Sequence, residues 1–562
     1  MKLLVSVQEE LAKPTTTIQM CLLGIIAGLC SAAVIILFRL GYESIQLQFL
    51  DEVGHYETLA PEMRLLLPVL GALCIAGFAF ITGFKHYRLG IPFIIHRVKM
   101  FYGTVPFRTA LNQFFGGMVA LASGFSVGRE GPSVHLGAAT SSFFGTSLKL
   151  PYNAVRILSG CGISAGIAAS FNTPFAAVIF VMEVVLREYR IHVFIPVMLA
   201  AACGSVMTRA VFGNTHELDF LNVVGIHQGW ILFYLIPFGM FLGAAATFFN
   251  KQLMNIIRAF RPVSMARRLI LAGIITGCVG FLIPEAMGTG LSPVNLIHGA
   301  SNDMHLLLMV MFAKVLLTLF AIGLGVPGGV IGPILGIGVL AGVLLLEPLK
   351  LIMPETEHLT TSFGLLGMAG LLTSVLHAPL AALSFIMELS HTTGVILPAM
   401  LVIVPSFVTA SQFLKNRSIF IKQLDFQKLP YKTSFINESL QKVGVLTAID
   451  KEFKLFKDAP ETTILDFLDT APTHPVVQQS FYEIDVSYQL VQYDISLDPH
   501  AQAPLTYYPM QGVTAQATMA EVYDILQKNR QGAVYVYRGL AENIIGVITW
   551  DCVRKYLNQQ HY

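Results

Sequence analysis

Residues 128–137, GREGPSVHLG, place an arginine and a glutamate in a stretch that is otherwise mostly apolar or glycine-rich. An ionisable residue at membrane depth is costly and is a functional candidate by default. Gly131 and Pro132 follow Glu130 directly, and proline suits the start of a helix, where its missing N–H is not needed. Because a helix N-terminus carries unpaired N–H donors and a partial positive charge, it attracts anions. The spacing therefore predicts a helix start that holds a small anion, with Glu130 competing for the same place.

The same pattern occurs a second time. GVIGPILGIG (329–338) matches GREGPSVHLG, and PLAALSFIME (379–388) matches PFAAVIFVME (174–183), in the same order and at nearly the same separation. This predicts a duplicated membrane unit. Ile331 stands at the position of Glu130, so only the first copy carries the acidic residue. Short segments interrupted by Gly and Pro at matching places in two halves point to a transporter's binding site.

The composition predicts a membrane domain followed by a more polar domain. Of 562 residues, 54% are hydrophobic and 12% are charged, against about 25% charged in a typical soluble protein. The last 148 residues, 415–562, hold 30 of the 70 charged side chains. The run from Ile18 to Phe38 is long enough to cross a bilayer, and the runs Leu306–Leu346 and Leu365–Met387 are longer still. A net charge of +2 gives no reason to expect nucleic-acid binding.

Several function classes lack their sequence signals. The seven cysteines form no C-x-x-C and no cluster with histidine, which argues against a metal site. No H-E-x-x-H or hydrolytic triad is visible, so we do not expect an enzyme. His135 is interpreted as a polar residue near the anion pathway. From the residues alone, a secondary transporter of another small anion is the alternative, since it too would use helix N-termini at broken spans.

GREGP, the second-half GG-V-I-GP and the paired P-x-A-A-x-x-x-x-M-E segments together resemble the CLC family of chloride channels and proton-coupled chloride exchangers. The resemblance covers roughly residues 18–425. It implies an all-α polytopic membrane fold of two inverted repeats with tilted and broken helices. It also implies a homodimer in a lipid bilayer with one anion pathway per subunit, chloride as the substrate, protons as a second transported ion in the exchangers, and no cofactor.

The resemblance also implies a set of site residues. Glu130 corresponds to the gating glutamate, and the backbone N–H groups of Val330 and Ile331 would face the ion. Arg129 is interpreted as a structural or field-shaping partner more than as a ligand. The anion-binding residues implied by matching the motifs are Gly128, Arg129, Gly131, Leu89, Gly90, Ile91, Pro92, Val330, Ile331, Gly332 and Phe420.

The chain departs from the family pattern at three positions. Leu89 replaces a serine and Phe420 replaces a tyrosine, so two hydroxyl donors to the anion are missing and the central site is expected to be more permissive. Val184 follows Glu183 where exchangers commonly carry a second glutamate that passes protons. Valine carries no proton, which favours channel-like conduction; the alternative is proton-coupled exchange, with water or Glu183 as the relay. Glu388, the counterpart of Glu183, is expected to tie helices together.

The C-terminal part resembles a pair of CBS domains. Ala517–Lys528 predicts a helix, Gly532–Tyr537 and Asn543–Thr549 predict two strands, and Cys552–Leu557 predicts the start of a second helix. Phe453–Val477 resembles a degenerate first copy. CBS pairs often bind adenine nucleotides through an Asp after G-x-x-T, but here Asp551 comes one position early, which argues against nucleotide binding.

These patterns predict three parts of the chain. Residues 1–17 form a cytosolic N-terminal segment, 18–425 the transport domain (halves 18–215 and 216–425), and 426–562 a small α/β, CBS-like cytosolic domain. The expected location is the cell membrane, with several crossings and with the C-terminal domain in the cytosol.

Overall fold

The computed structural model describes residues 2–84, 89–213, 229–290, 304–432, 434–470, 472–482, 485–493 and 505–559. Contacts divide the chain into two units. The larger unit comprises Cys21–Phe144 and Arg156–Tyr431. The smaller unit comprises Met1–Met20, Gly145–Val155 and Lys432–Tyr562.

The larger unit is built of helices, as its apolar runs predict. After α1 (Lys2–Ala12), the helices are α2 Ile18–Gln46, α3 Pro61–Ile81, α4 Gly90–Met100, α5 Phe107–Ala122, α6 Glu130–Ser147, α7 Tyr152–Phe171, α8 Pro174–Phe180, α9 Ile191–Phe212, α10 Gly229–Ala259, α11 Met265–Leu282, α12 Met304–Leu324, α13 Ile331–Ile352, α14 Thr360–Leu376, α15 Pro379–Ser390, α16 Ile396–Val408 and α17 Ile419–Gln427. Turns of π-helix extend α8 over Val181–Leu186 and α16 over Thr409–Phe413. Among the described residues, 10 helical segments are long and apolar enough to cross a bilayer. The predicted all-α polytopic fold is confirmed.

Each of the two longest apolar runs contains two helices and not one. Leu306–Leu346 is divided between α12 and α13 at Gly325, whose φ of +95° a side chain would disfavour, and at Pro327. Leu365–Met387 is divided between α14 and α15, where His377 is left-handed and Pro379 begins the next helix. Hydrophobicity alone does not reveal these breaks. Each break places a helix N-terminus inside the unit.

Helices of the larger unit approach one another closely at small residues. A β-carbon on Gly239 or Gly243 of α10 would overlap the backbone carbonyl oxygen of Val402 or Ser406 on α16. Such contacts between small residues and backbone are typical of membrane helices. Because lipid is as apolar as the helices, no hydrophobic force drives them together, and close packing takes its place. Large apolar side chains such as Phe233 are exposed, as a lipid-facing surface requires.

The smaller unit combines strands and short helices. Its strands are β1 Lys454–Lys457, β2 Val476–Tyr482, β3 Asp485–Tyr493, β4 Leu505–Pro509, β5 Gln511–Thr514, β6 Ala533–Tyr537 and β7 Ile544–Thr549. Its C-terminal helices are α18 Phe435–Leu440, α19 Glu461–Leu468, α20 Met519–Leu526 and α21 Trp550–Gln559. The same unit contains α1, and Asn153 donates from its amide to the Leu11 carbonyl at 2.9 Å.

The two sheets of this unit repeat one topology. β1 pairs in parallel with β2, which pairs antiparallel with β3; β5 pairs in parallel with β6, which pairs antiparallel with β7. A helix, α19 or α20, lies between the first two strands of each set. After β7 the chain forms α21, whereas β4 pairs antiparallel with β3 in the first sheet. The structure thus contains the same β-α-β-β order twice, with a strand in place of the second helix in the first copy.

Candidate functional site

The two Gly-x-x-Gly-Pro turns meet in the larger unit. Gly128 and Gly329, which are equivalent positions of the two repeats, exchange two backbone hydrogen bonds of 2.8 and 2.6 Å. The helices that follow, α6 and α13, begin at the equivalent residues Glu130 and Ile331. The prolines therefore lie at the third helical position, still within the first turn, where a missing N–H breaks no intrahelical bond. This pairing brings two helix N-termini together.

The carboxylate of Glu130 lies over the start of the second-half helix. A β-carbon added to Gly329 would lie 2.5 Å from Glu130 Oε2, and one added to Gly332 would lie 2.8 Å from Oε1. A β-carbon on Gly128 would overlap the same carboxylate. The side chain is 3% exposed. Glycine at these three positions therefore makes the space that the carboxylate fills, beside the partial positive charge of α13.

A small apolar cavity adjoins Glu130. It has a volume of about 30 Å³, and its lining includes Glu130, Phe171, Phe180, Ile331 and Phe385. An ionised carboxylate is strongly disfavoured in such surroundings, whereas a neutral carboxylic acid costs much less to bury. The Glu130 side chain thus lies near two different environments. The helix start suits its ionised form, and the apolar cavity suits its neutral form.

The Arg129 side chain contacts residues of two neighbouring helices. Its guanidinium donates to the Tyr42 hydroxyl at 3.3 Å and stacks on the Phe171 ring at 4.4 Å. Its backbone carbonyl accepts from the hydroxyl of Ser133. These contacts tie the turn to α2 and α7.

The first-half turn, Leu89-Gly90-Ile91-Pro92, begins α4. Gly90 has a φ of +72°, and its N–H donates to His135 Nδ1 at 3.3 Å. His135 Nε2 lies 3.0 Å from the Thr109 hydroxyl, so the neutral ring that accepts at Nδ1 donates there from Nε2. His135 therefore holds the first-half turn in place, a role that its sequence position alone did not reveal.

A cavity of about 130 Å³ joins this turn to the others. Its lining includes Leu89, Gly131, Val330 and Phe420, which come from the starts of α4, α6, α13 and α17. The structure thus brings together Leu89 and Phe420, the two positions that lack a hydroxyl donor, beside both Gly-x-x-Gly-Pro turns. The other predicted residues of these turns that line it are Gly90, Ile91 and Pro92.

Four polar residues of this cavity were not identified from the sequence. They are Gln113 of α5, Arg268 of α11, and Gln423 and Gln427 of α17. The available signal was weak: Gln113 is one of two adjacent polar residues in ALNQFFGG, and Arg268 is the second of two arginines at a helix start. Together they give the cavity N–H donors and one positive charge.

Glu183 and Glu388 make reciprocal contacts between the repeats. The Glu183 carboxylate accepts from the backbone N–H groups of Leu380 and Ala381 at 3.2 and 2.7 Å. The Glu388 carboxylate accepts from those of Phe175 and Ala176 at 2.9 and 2.7 Å. Glu183 thus caps the start of α15, and Glu388 caps the start of α8. Each glutamate caps the helix that lies in the opposite repeat.

Val184 follows Glu183 in the π-helical turn and is buried. A valine here supplies neither donor nor acceptor. The neighbouring carboxylate of Glu183 is held by two backbone N–H groups, as described above.

Lys314 is a further buried polar residue that the sequence did not single out. It is fully buried in α12, and its Nζ lies within 2.9–3.2 Å of the carbonyl oxygens of Ala286, Met287, Gly288 and Thr289. Gly288 N–H in turn donates to the Gly124 carbonyl at 2.9 Å. The ammonium therefore fixes a loop that supports the turn preceding Gly128.

In the smaller unit, a cavity of about 1400 Å³ is lined in part by Thr549, Asp551 and Cys552. His474 lies at its edge, with Nδ1 3.0 Å from Asp450 Oδ2 and Nε2 3.1 Å from Glu452 Oε2. Its hydrogen bond to Asp450 raises the pKa of His474. Burial raises the pKa of the Cys552 thiol.

Comparison with known proteins agrees with this architecture. The family model described as voltage gated chloride channel matches residues 71–411. A protein of Ralstonia nicotianae whose name describes it as ClcB-like is 30% identical over 356 residues, which cover 62% of this chain and 82% of that protein. The H(+)/Cl(-) exchange transporter ClcA of Vibrio vulnificus is 28% identical over 436 residues, covering 73% of this chain and 91% of the relative.

The solved structure of a eukaryotic CLC transporter shares the fold. It superimposes with a TM-score of 0.60 at 17% identity, covering 95% of this chain and 97% of that one. The helices, the paired helix starts and the family match define a multi-pass membrane transport protein. The chain belongs to the voltage gated chloride channel (CLC) family, and its general function is CLC-type chloride transport. The members matched here are named as channels and transporters, not as enzymes.

Proposed function

We propose that the protein transports chloride along a pathway formed by the starts of α4, α6, α13 and α17, with Glu130 as its gate. The observation that carries the proposal is the position of the Glu130 carboxylate between Gly128, Gly329 and Gly332. An ionised carboxylate there takes the place that the helix N-terminus offers to an anion. Protonation removes its charge, so chloride displaces it.

The apolar cavity beside Glu130 gives the neutral side chain a place to go. Its phenylalanine-rich lining stabilises the protonated form relative to the ionised form. When the proton leaves, the carboxylate returns to the helix start and closes the pathway. Lower pH therefore increases the time for which the pathway is open.

Passive conduction is the mode of transport that Glu183 and Val184 support. Val184 carries no proton, and Glu183 is held as a helix cap by Leu380 and Ala381. Both oxygens of this carboxylate accept from backbone N–H groups of a helix start, which fixes the side chain in place and makes it a poor proton relay. Glu130 alone would then respond to protons without passing them across the membrane.

Proton-coupled exchange is the second candidate. The Vibrio vulnificus relative is named an exchanger, and water in the cavity of about 130 Å³ would provide a proton route that needs no second glutamate. Both candidates use Glu130 in the same way and differ only in the fate of its proton.

The reversal potential of purified protein in planar bilayers separates these candidates. Under opposed chloride and proton gradients, passive conduction reverses at the chloride equilibrium potential whatever the pH difference. Exchange moves the reversal potential as the pH difference changes. A protein that carries no chloride current or flux in either gradient refutes the proposed transport function.

The orientation, assembly and domain division are further proposals. The stretch from Ile256 to Pro284 contains Arg258, Arg261, Arg267 and Arg268 and no acidic residue, which by the positive-inside rule places the α10–α11 loop in the cytosol. We propose a transport domain over 18–425, a cytosolic domain over 426–562, and a homodimer with one pathway per subunit in the cell membrane. Cysteine accessibility at Arg261→Cys tests the orientation, and cross-linking in native membranes tests the dimer.

The repeated β-α-β-β topology supports a CBS-like pair in the C-terminal domain. Its large cavity is lined by the carboxylates of Asp450, Glu452, Asp469 and Asp551 and by the two ammonium groups of Lys451 and Lys555. The excess of negative charge repels a polyphosphate, so we propose a structural role in place of nucleotide binding. Calorimetric titration of the whole protein with ATP tests this proposal, and saturable binding would contradict it.

A further inference from the structure

Gln113 is a buried amide whose hydrogen bonds are not accounted for by the described part of the chain. It lies on α5 and is 0% exposed. Among the described residues, neither Nε2 nor Oε1 has a hydrogen-bond partner. Buried polar side chains almost always have partners, and each exception calls for an explanation. A ligand that accepts from this amide would supply one.

The amide lies at the anion pathway. Gln113 lines the cavity of about 130 Å³ together with Leu89, Gly131 and Phe420. A β-carbon on Gly117, one turn further along α5, would lie 3.4 Å from Gln113 Nε2 and 3.0 Å from the Pro132 ring. Glycine at 117 therefore allows the amide to lie beside the start of α6.

The chemistry of the cavity calls for a donor at this place. Leu89 and Phe420 contribute no hydroxyl, and the N–H of Gly90 is already bonded to His135. The carboxamide of glutamine has two N–H donors and no charge. Of the polar side chains in the cavity, Gln113 is fully buried, whereas Arg268, Gln423 and Gln427 are half-buried.

We propose that the Gln113 carboxamide coordinates the transported anion, donating from Nε2 and taking over the role of the missing hydroxyl donors. The proposal rests on the proposed transport function and adds a ligand to it. Because the donor is neutral, it stabilises a halide without the full attraction of a cation, and the ion can leave. Oε1 remains available to accept from a water molecule that accompanies the anion.

Gln113→Met tests the proposal, because methionine keeps the length of the side chain and removes both unpaired polar atoms. Chloride binding to the purified protein is measured by calorimetry, and chloride flux is measured in liposomes. A hydrogen bond to a charged group corresponds to roughly a tenfold or larger change in affinity, so we expect the Kd for chloride to rise about tenfold or more. The thermal midpoint should not fall, since no partnered hydrogen bond is lost.

Asn112→Leu is the matched control. Asn112 is the neighbouring buried amide of α5, but it is partnered: its Nδ2 donates to the Arg108 carbonyl at 2.9 Å, and its Oδ1 lies 3.1 Å from the Thr82 hydroxyl. This variant should lose stability and keep its chloride affinity, the opposite pattern.

Three results would decide against the proposal. An unchanged chloride Kd in Gln113→Met overturns it and leaves the transport function intact. A lower thermal midpoint with unchanged affinity assigns Gln113 a structural role. Absence of halide binding and flux in the unmodified protein overturns the transport function, and the ligand assignment with it.

Discussion

The reciprocal caps between the repeats make a strong prediction about stability. Glu388→Ala removes a carboxylate that accepts from the Phe175 and Ala176 N–H groups at 2.9 and 2.7 Å. These N–H groups open α8 and have no intrahelical acceptor. The substitution therefore leaves two donors of this helix start without their partner.

The expected loss of stability follows from these two bonds. A hydrogen bond to a charged group contributes about 1.5–3 kcal/mol, so two contribute at most about 3–6 kcal/mol. A cavity of about 310 Å³ lies beside Glu388, and water entering it partly replaces the carboxylate. We therefore expect a decrease of roughly 2–4 kcal/mol for Glu388→Ala, and about half of that for Glu388→Gln, which keeps one carbonyl acceptor.

The assay is unfolding of the purified protein in mixed detergent and dodecyl sulfate micelles, followed by far-ultraviolet circular dichroism. Glu347→Ala is the control, because Glu347 pairs with Lys350 at 2.8 Å across one helical turn and such a partly exposed pair contributes about 0–1 kcal/mol. Equal losses in Glu388→Ala and Glu347→Ala would refute the capping argument.

Three further predictions concern the gate and the C-terminal domain. Glu130→Gln should make chloride flux in liposomes independent of external pH between about 4 and 8, because no carboxyl group remains to titrate there; a retained pH dependence would reject Glu130 as the gate. Gly332→Ala places a β-carbon 2.8 Å from Glu130 Oε1, in the space that the carboxylate and the anion share, and should lower chloride flux by about tenfold, whereas Gly77→Ala, with open space around its β-carbon, should leave flux unchanged. Because the pKa of His474 is raised, its contacts with Asp450 and Glu452 stabilise the fold below the ordinary pKa of histidine, and this stabilisation is lost as pH rises through the raised pKa. Hydrogen exchange of residues 472–476, corrected for intrinsic rates, should therefore increase between these two pKa values and just above them in the unmodified protein. An equal increase in His474→Gln would contradict this.

Local patterns in the sequence were sufficient to predict the repeat and to single out Glu130 as a candidate gate. GREGP and GVIGP predict helix starts, and the structure begins α6 and α13 at equivalent positions. A charged residue among glycines and apolar residues is conspicuous because such a residue is costly in a membrane. The order of helix and strands after residue 517 was likewise visible from periodicity and turn residues.

Tertiary contacts determined what the sequence could not show. The paired Met-Glu segments indicated two related glutamates, but the N–H groups that Glu183 and Glu388 accept from belong to the opposite repeat. Similarly, Gln113 has no sequence signal beyond its polarity. Its importance depends on Gly117, Leu89 and Phe420, which come from other parts of the chain or the next turn. The breaks within the long apolar runs were also hidden, because residues on both sides are equally apolar.

The most direct test of the account is to locate a halide by anomalous scattering of bromide in crystals at neutral pH. The account predicts a bromide peak between Gly128, Gly329 and Gly332 in Glu130→Gln, and no peak at that place in the unmodified protein, where the carboxylate fills it. A peak at the same place in both proteins, or in neither, would contradict competition between Glu130 and the anion.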